Sequence, residues 1–294
     1  MQVISFFSYK GGSGRTSLLY NTVPFLADEL KATSEEPIII LDLDIDSKGL
    51  SFLLKGPNGV SSDINALHVL NRDAIITGCS MNKAKFFEKM LPVGKLLGLG
   101  EARESSVLFI SANNITKYMQ ENTFDSKNFE LDYFVAICAR MNCKALILDN
   151  PAGAQLSGDL ALSVSDKIVT VMRITRQFRE GTVEFIREAG ERFSGKQFIV
   201  VPNVVPRDSN NYSIEKILKS IEAGIKDVEN DENEYNLDLF TQGNRGINEV
   251  NLFKFEEVNL RRKLESGYAA LEEDENRAME MYKKLAWVLA DENS

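Results

Sequence analysis

The residues best suited to chemistry lie in a short glycine-rich segment near the start of the chain. Residues 9–17 read Tyr-Lys-Gly-Gly-Ser-Gly-Arg-Thr-Ser, directly after an apolar run and directly before a helical pattern. Three glycines in four residues let the backbone amides curl around an anion, with the N-terminus of the next helix aimed at it. The hydroxyls of Thr16 and Ser17 suit Mg²⁺ and a phosphate oxygen. The segment therefore predicts a phosphate-binding loop.

This segment departs from the ordinary P-loop pattern, G-x-x-x-x-G-K-[ST]. The first glycine of that pattern falls on Tyr9, and its lysine falls on Arg15. Arg15 keeps the positive charge but presents a planar fork on a longer side chain. Because phosphoryl transfer depends on the placement of charge, the sequence leaves the rate of hydrolysis open.

Three further motifs stand where predicted strands end. One strand leads into Asp42 and Asp44, a second ends at Asp149 before Asn-Pro-Ala-Gly, and a third ends at Asn203. A carboxylate at the end of an apolar strand can hold a metal-bound water or orient an attacking water. These positions are therefore candidates for metal binding and catalysis. The alternative for Asp42 and Asp44 is a polar strand end that caps a helix, and for Asn203 it is a turn residue.

Taken together, the motifs resemble the deviant P-loop of the ParA/MinD family, whose form is K-G-G-x-G-K-[ST]-[ST]. The signature of that family is the early lysine, a place that Lys10 occupies here. The four motifs follow the family's order over residues 2–203. The resemblance implies a P-loop NTPase fold, which is a doubly wound, mostly parallel β-sheet with helices on both faces. It also implies binding of ATP or ADP with Mg²⁺, and a homodimer that encloses two ATP molecules.

The resemblance also implies a role for each motif residue. Asp44 would orient the attacking water, and Asn203 would contact the adenine. Lys10 would reach the phosphates of the partner subunit, so that the predicted catalytic set is Lys10, Asp44 and Asp149. The predicted metal set is Thr16, Asp42 and Asp149. The remaining nucleotide contacts would come from the loop itself, at Lys10, Gly11, Gly12, Ser13, Gly14, Arg15, Thr16 and Ser17.

The elements that must position these residues alternate along the chain. Continuous apolar runs predict strands buried on both faces, at 2–8, 37–42, 107–111, 145–149, 167–172 and 197–203. Helical patterns lie between them, at 16–31, 126–142, 155–165, 175–193 and 213–226. This order predicts an α/β domain with a parallel sheet. Residues 55–106 predict short helices and loops, residues 270–290 predict a core-facing helix, and the whole span 1–294 is predicted to be one domain.

Composition limits the partners. The 294 residues include 34 Lys and Arg against 43 Asp and Glu, a net charge of −9, which argues against coating nucleic acid by bulk charge. Local contact with DNA stays an alternative through two basic clusters, at Arg173, Arg176 and Arg179 and at 261–263. Nearby glutamates give both clusters a plainer interpretation as solvated ion pairs. The acidic stretch 227–234 predicts a solvated loop. The C-terminal pattern lacks a basic face, so we do not expect membrane docking. The first residues lack the basic region of a signal peptide and no apolar run reaches about 20 residues, so we expect a cytoplasmic chain.

The leading hypothesis is a ParA/MinD-like ATPase whose ATP-bound dimer positions, partitions or regulates a partner or cargo, with slow hydrolysis as the reset. The alternative is a nucleotide-binding scaffold resembling the pilus-localising TadZ branch, with little or no hydrolysis. A synthetase of the dethiobiotin kind is a third hypothesis. An iron–sulfur reductase is not expected, because residues 150–156 contain no cysteine. The cargo and the cellular process are not encoded in any motif.

Overall fold

The computed structural model describes residues 1–45, 47–54, 64–71, 83–112, 130–153, 155–193, 196–203, 223, 236–239 and 276–291. Its strands are β1 Gln2–Phe7, β2 Ile38–Asp42, β3 Leu91–Pro92, β4 Val107–Ile110, β5 Ala145–Asp149, β6 Lys167–Met172, β7 Gln197–Pro202 and β8 Asn236–Leu239. Its α-helices are α1 Arg15–Glu29, α2 Gly49–Leu53, α3 Ala66–Leu70, α4 Lys83–Phe87, α5 Asp132–Arg140, α6 Leu156–Val164, α7 Arg176–Arg192 and α8 Asn276–Ala290. A 3₁₀ helix, Glu101–Ser106, precedes β4.

The strands form one eight-stranded sheet in the order β3-β4-β2-β5-β1-β6-β7-β8. All neighbouring strands pair in parallel except β3, which runs antiparallel to β4. Because parallel strands need crossover connections, the helices between them come to lie on the faces of the sheet. The predicted fold class, a doubly wound and mostly parallel sheet, is confirmed.

Alternation along each strand builds separate cores on the two faces of the sheet. In β2, Ile38 and Ile40 join one buried cluster, whereas Ile39 and Leu41 join another. Successive residues of a strand point to opposite faces, so a strand buried on both sides reads as a continuous apolar run. The uninterrupted Ile-Ile-Ile-Leu sequence therefore indicates that β2 is covered by helices on both faces of the sheet.

The helices divide between these cores. Residues of α1 and α8 share the first cluster with β1 and β2, and those of α3 and α5 complete the second. A third cluster joins Phe178 and Ile186 of α7 to Phe198 of β7. Helix packing on both faces is thus confirmed, and the predicted core-facing helix at 270–290 is confirmed over its described part, α8.

Most predicted elements are observed with ends shifted by a few residues. β5 and β6 coincide with the predicted ranges, and α1 begins at Arg15 and ends at Glu29. The irregular region contains the short helices α3 and α4, as predicted, but it also contains the unpredicted strand β3. Strand β8 was not predicted either. The predicted helix at 213–226 lies outside the described residues except for residue 223, and the second basic cluster, at 261–263, lies wholly outside them.

The topology fixes where a ligand can bind. The chain leaves β1 for β2 on one side of the sheet, and it later returns to place β5 between them and β6 beyond them. In such open sheets, ligands bind outside the carboxyl ends of the strands, where the strand order reverses. The glycine loop follows β1, so it lies at this position. Over the residues described, no helix has the length and hydrophobicity needed to cross a membrane.

Candidate nucleotide-binding site

The glycine loop connects the end of β1 to the start of α1. Gly12 and Gly14 have φ angles of 81° and 83°, in the left-handed region that favours glycine, and Gly14 is the N-cap of α1. A Cβ atom added at Gly11 or Gly12 would meet no atom within 4 Å. The loop therefore presents bare backbone in front of a helix N-terminus, the arrangement that binds phosphate in proteins.

Two buried carboxylates face each other at the carboxyl ends of β2 and β5. Asp42 and Asp149 are register partners in these adjacent parallel strands, and both are fully buried. Asp44 follows two residues after Asp42 and is also buried. The structure thus brings together the three carboxylates that the sequence singles out, next to the loop that follows β1.

Arg15 links the loop to these carboxylates. Its Nε donates to Asp149 Oδ1 at 2.7 Å, and its Nη2 donates to Asp44 Oδ2 at 2.7 Å. Its Nη1 donates to Ser8 Oγ at 3.4 Å. Burial lowers the pKa of Arg15, but the attraction of Asp149 and Asp44 outweighs it, so that the pKa lies above its ordinary value. The side chain that replaces the P-loop lysine is therefore a buried, ion-paired cation.

Thr16 and Asp149 form the pair best suited to hold Mg²⁺. The Thr16 hydroxyl donates to Asp149 Oδ2 at 3.1 Å, so two oxygen atoms of the kind that Mg²⁺ prefers already lie together. Burial raises the pKa of Asp149 above its ordinary value, although Arg15 and Thr16 oppose the shift. The donor set fits a magnesium ion that is completed by phosphate oxygens and water. Among the described residues, no cluster of three His, Cys, Asp or Glu side chains forms an all-protein metal site.

Asp42 already receives hydrogen bonds on both of its oxygens. Oδ1 accepts from the Asp44 amide at 3.0 Å, and Oδ2 accepts from the amide and hydroxyl of Ser51 at 2.9 and 2.6 Å. Burial and repulsion from Asp149 raise the pKa of Asp42 to about 7, despite these hydrogen bonds. The carboxylate therefore ties β2 to α2, in which Ser51 lies. Its predicted contact with the metal stays a prediction.

Asp44 is held in a tight turn beside the loop. Its Oδ1 accepts from the Ser47 amide at 3.1 Å, and its backbone carbonyl accepts from the Lys48 amide at 2.8 Å. Its other oxygen is the one bonded to Arg15. A water oriented by Asp44 would share this carboxylate with Arg15, and that role stays a prediction.

Lys10 and Tyr9 lie on the outer side of the loop. Lys10 is exposed, and its predicted contact with a partner subunit stays a prediction. Tyr9 is partly exposed, and its ring lies directly against Gly181 of α7, where an added Cβ would overlap it. The backbone of the Lys10 segment is therefore connected to α7 through its tyrosine neighbour.

Two side chains from the next strands hold the carbonyl groups of the loop. Arg173, directly after β6, donates from Nε to Gly12 O at 2.6 Å. Asn203, directly after β7, donates from Nδ2 to Ser13 O at 2.9 Å. The structure thus places Asn203 against the phosphate loop, and its predicted contact with adenine stays a prediction. Ser13 is buried here, whereas Ser17 is partly buried at the first turn of α1.

The segment after Asp149 follows the end of β1. The Asn150 amide donates to Phe6 O at 3.1 Å, and the Gly153 amide donates to Ser8 O at 3.0 Å. Gly153 has a φ of 75°, which explains glycine at this turn. The side-chain amide of Asn150 is buried, and neither of its polar atoms has a hydrogen-bond partner among the residues that the structure describes. This segment therefore lies beside the end of β1 and the start of the glycine loop.

Sequence reasoning missed three of these contacts. It assigned Arg173 to a surface cluster, because the sequence does not show that the strand before Arg173 lies next to β1. No sequence pattern identifies Ser51 as the hydrogen-bond partner of Asp42, or Gly181 as the residue against which the Tyr9 ring packs. Both contacts join residues that only the tertiary fold brings together.

Comparison with known proteins identifies the fold. A scan against protein-family models finds no match, and a search of curated proteins finds none. Among solved structures, the chain is similar to the cell division ATPase MinD of Pyrococcus furiosus, with a TM-score of 0.62, 17% identity and coverage of 97% of this chain and 96% of that chain. It is similar to a ParA family ATPase of Chlorobium tepidum, with a TM-score of 0.62, 15% identity and coverage of 97% and 98%. This chain has the ParA/MinD fold.

A third similar structure carries a nucleotide. It is the complex of a variant of Cyanothece McdA with ATP, with a TM-score of 0.54, 13% identity and coverage of 98% of this chain and 96% of that chain. The three matches cover nearly the whole of every chain. At these identities the similarity establishes the fold, and the chemistry must be argued from the site itself.

Proposed function

We propose that this chain is a ParA/MinD-like ATPase that binds ATP with Mg²⁺ in the cytoplasm and dimerises as a nucleotide-controlled switch. The dimer would position, partition or regulate a partner or cargo, and slow hydrolysis would reset it. The observation that carries the proposal is the convergence of Arg15, Thr16 and Asp149 behind a bare glycine loop. The similarity to McdA, whose solved complex contains ATP, supports nucleotide binding on this fold.

The site has the charges that phosphoryl transfer requires. The loop amides would cradle the β-phosphate, and Thr16 and Asp149 would hold Mg²⁺. When bound, the ion would neutralise charge on the phosphates. The described site contains three buried carboxylates against one buried arginine, so its ionised form favours an added cation. Asp44 would then orient the attacking water once Arg15 has turned from its carboxylate to the phosphates.

Lys10 supplies the link between nucleotide and dimer in this proposal. It is exposed at the outer side of the loop, where a partner subunit could place its own nucleotide. A lysine that reaches across an interface acts like an arginine finger, because its charge completes the phosphate site only in the dimer. Dimerisation and nucleotide state would be coupled for this reason.

The first test measures oligomeric state and phosphate release together. Light scattering of the full chain without nucleotide, with ADP, and with ATP and Mg²⁺ should give dimers only with ATP, accompanied by slow phosphate release. Lys10→Ala should still bind ATP but should form no ATP-dependent dimer. Lys284→Ala, which changes an exposed lysine of α8, is the matched control and should behave like the wild type. ATP-dependent dimers of Lys10→Ala would disprove the role across the interface.

Asp44→Ala tests the predicted water-orienting group. Removal of that group should stop phosphate release while ATP still binds, so the variant should accumulate as an ATP-bound dimer. The readout is retained ATP in dimers separated by gel filtration. Loss of ATP affinity would instead mean that Asp44 serves binding, and the catalytic assignment would be wrong.

A second candidate function is favoured by the contacts of Arg15. The guanidinium occupies one oxygen of Asp149 and one oxygen of Asp44, the residues on which metal binding and water activation depend. If Arg15 keeps both ion pairs when nucleotide binds, the protein would act as a nucleotide-binding scaffold with little hydrolysis. Arg15→Lys tests this alternative, because lysine cannot span both carboxylates as a fork. A rise of about tenfold or more in phosphate release would support the scaffold, and an unchanged or lower rate would support the switch.

Contact with DNA is not part of the proposal. In the basic cluster of the described residues, Arg173 bonds to the loop and Arg176 pairs with Glu180 at 2.6 Å. Ion pairs of this kind are the plainer interpretation of such a cluster. Titration of non-specific duplex DNA with the ATP-bound protein at several salt concentrations tests the alternative, since phosphate contacts would give strongly salt-dependent affinity.

A further inference from the structure

Two consecutive peptide groups of the glycine loop are held from outside by side chains of neighbouring strands. Arg173 Nε donates to the carbonyl oxygen of Gly12 at 2.6 Å, and Asn203 Nδ2 donates to that of Ser13 at 2.9 Å. Asn203 is buried, whereas Arg173 is exposed and has this one hydrogen bond among the described residues. An exposed arginine that bonds to a loop carbonyl, although carboxylates are abundant in the chain, calls for an explanation.

The geometry of the peptide group gives these contacts a consequence. A trans peptide is planar, so its C=O and its N–H point in opposite directions. When Arg173 holds Gly12 O, the amide of Ser13 is directed the other way. In the same manner, Asn203 directs the amide of Gly14. These two amides belong to the set that would bind phosphate, and their directions decide whether an anion finds aligned donors.

Among the described residues, the peptide between Gly12 and Ser13 has no hydrogen bond other than the one from Arg173. Gly12 adopts a φ of 81°. At both Gly11 and Gly12, an added Cβ would lie in open space. Glycine backbones are free to rotate, and binding a ligand to a rotating loop costs conformational entropy. A donor that holds Gly12 O in the free protein removes part of that cost.

We propose that Arg173 is a positioning residue that pre-orients the Ser13 amide for a polyphosphate. This inference rests on the proposed nucleotide binding and assigns to Arg173 a task that its charge alone does not supply. The essential feature is a donor nitrogen at the Nε position, four bonds from Cα. A positive charge at the same place would only add long-range attraction.

Substitutions of Arg173 separate the hydrogen bond from the charge. Glutamine carries an amide nitrogen at the same number of bonds from Cα as the arginine Nε, so Arg173→Gln keeps the donor and removes the charge. Arg173→Met keeps the length and removes both. Arg176→Gln removes the charge of an exposed arginine three residues away and is the matched control. The position is exposed, so all variants should fold, and thermal melts verify this.

Calorimetric titrations with ADP and AMP are the primary readout. We expect Arg173→Met to lose about tenfold in ADP affinity, the effect of about one lost hydrogen bond. Arg173→Gln should stay within about threefold of the wild type, and Arg176→Gln should match it. AMP has no β-phosphate for the loop, so its affinity should be the same in every variant. Hydrogen exchange of the Ser13 amide in the free protein should rise in Arg173→Met and not in Arg173→Gln.

The outcomes distinguish this inference from the function beneath it. Equal ADP affinity of Arg173→Met and the wild type would overturn it, and so would an equal loss in Arg173→Gln and Arg173→Met, which would assign the effect to charge. A wild-type protein that binds neither ADP nor ATP would refute the proposed function, and the inference would fall with it.

Discussion

At the scale of single residues, the site is a buried cluster in which three aspartates outnumber one arginine. Arg15 bonds to Asp44 and Asp149, whereas Asp42 faces Asp149 across the strand pair with hydrogen-bond donors but no cation among the described residues. Buried carboxylates without a paired cation favour the neutral form, because burial removes the water that stabilises charge. Burial thus raises the pKa of Asp42 as it does that of Asp149, but Asp42 has no arginine to oppose the shift.

The raised pKa of Asp42 predicts a dependence of stability on pH. The folded-state value of about 7 lies above the ordinary value of 3.8, so the unfolded chain releases this proton first as the pH rises. The stabilisation that comes from protonated Asp42 is complete below about pH 4 and declines between about pH 4 and 7. It is lost above about pH 7. It amounts to about 4 kcal/mol between about pH 4 and pH 8.

Urea unfolding of the nucleotide-free wild type and of Asp42→Asn across this range measures the effect. The free energy of unfolding of the wild type should fall relative to that of the variant as the pH rises, whatever the mean stability of the variant. Parallel pH profiles for the two proteins would show that Asp42 does not carry the proton.

The residues of the cluster were predictable, but their contacts were not. The motif order predicted that Arg15, Thr16, Asp44 and Asp149 would meet at one edge of the sheet. The fork of Arg15 on two carboxylates depends on its rotamer and on the register of β2 against β5, which no sequence pattern specifies. Arg173 was placed in a surface cluster for the same reason, because its contact depends on which strand lies next to β1.

At the scale of elements, α7 and the loop after β1 are joined through one ring. Tyr9 lies on Gly181, where α7 has no side chain to keep the ring away. Lys10 follows Tyr9 directly, so the ring contact ties the segment that carries Lys10 to α7. Glycine within a helix usually lowers helix stability, and this contact gives its presence a structural reason.

Gly181→Ala should therefore weaken ADP binding through Tyr9. The added methyl group overlaps the ring, which must swing into solvent, and we expect a coupling of about 0.5–1.5 kcal/mol between the two positions. A double-mutant cycle measures this coupling. Gly181→Ala should reduce ADP affinity in the protein that retains Tyr9, but it should have no effect in the Tyr9→Ala variant.

Gly158→Ala is the matched control for that cycle. Gly158 lies in α6, and an added Cβ would meet Pro151 at 3.7 Å, an ordinary contact. This substitution should stabilise the protein by about 0.5–1 kcal/mol without changing ADP affinity. An equal effect of Gly181→Ala with and without Tyr9 would contradict the proposed link.

At the scale of the whole molecule, the doubly wound sheet was predictable because its central strands are buried on both faces. The runs at 145–149 and 167–172 are continuous, apolar and bounded by polar residues, so their ends were found correctly. Strands β3 and β8 were missed because they have two and four residues and lie at the edges of the sheet. Such short segments carry too little periodicity to be read.

The last described helix, α8, packs against elements from the start of the chain. Tyr282, Leu285 and Leu289 of α8 pack in the same core cluster as α1 and β1. Lys167, at the start of β6, is buried and donates from Nζ to the carbonyls of Val288 at 2.9 Å, Leu289 at 3.3 Å and Asp291 at 2.5 Å. It thus satisfies carbonyl groups that the helix C-terminus leaves without partners.

Lys167→Met should release this helix end. Methionine keeps an unbranched chain of similar length but provides no donor, so several carbonyls lose their partner and the free energy of unfolding should fall by about 2–3 kcal/mol. Hydrogen exchange should rise in residues 276–291 and in the facing α1, because the two helices share one core and the chain is predicted to be a single domain. Lys283→Met, on the exposed side of α8 with its Nζ 5.7 Å from the Phe25 ring, should change stability by less than about 0.5 kcal/mol. Increased exchange confined to α8, with α1 fully protected, would show instead that the C-terminal helix unfolds as a unit separate from the nucleotide-binding core.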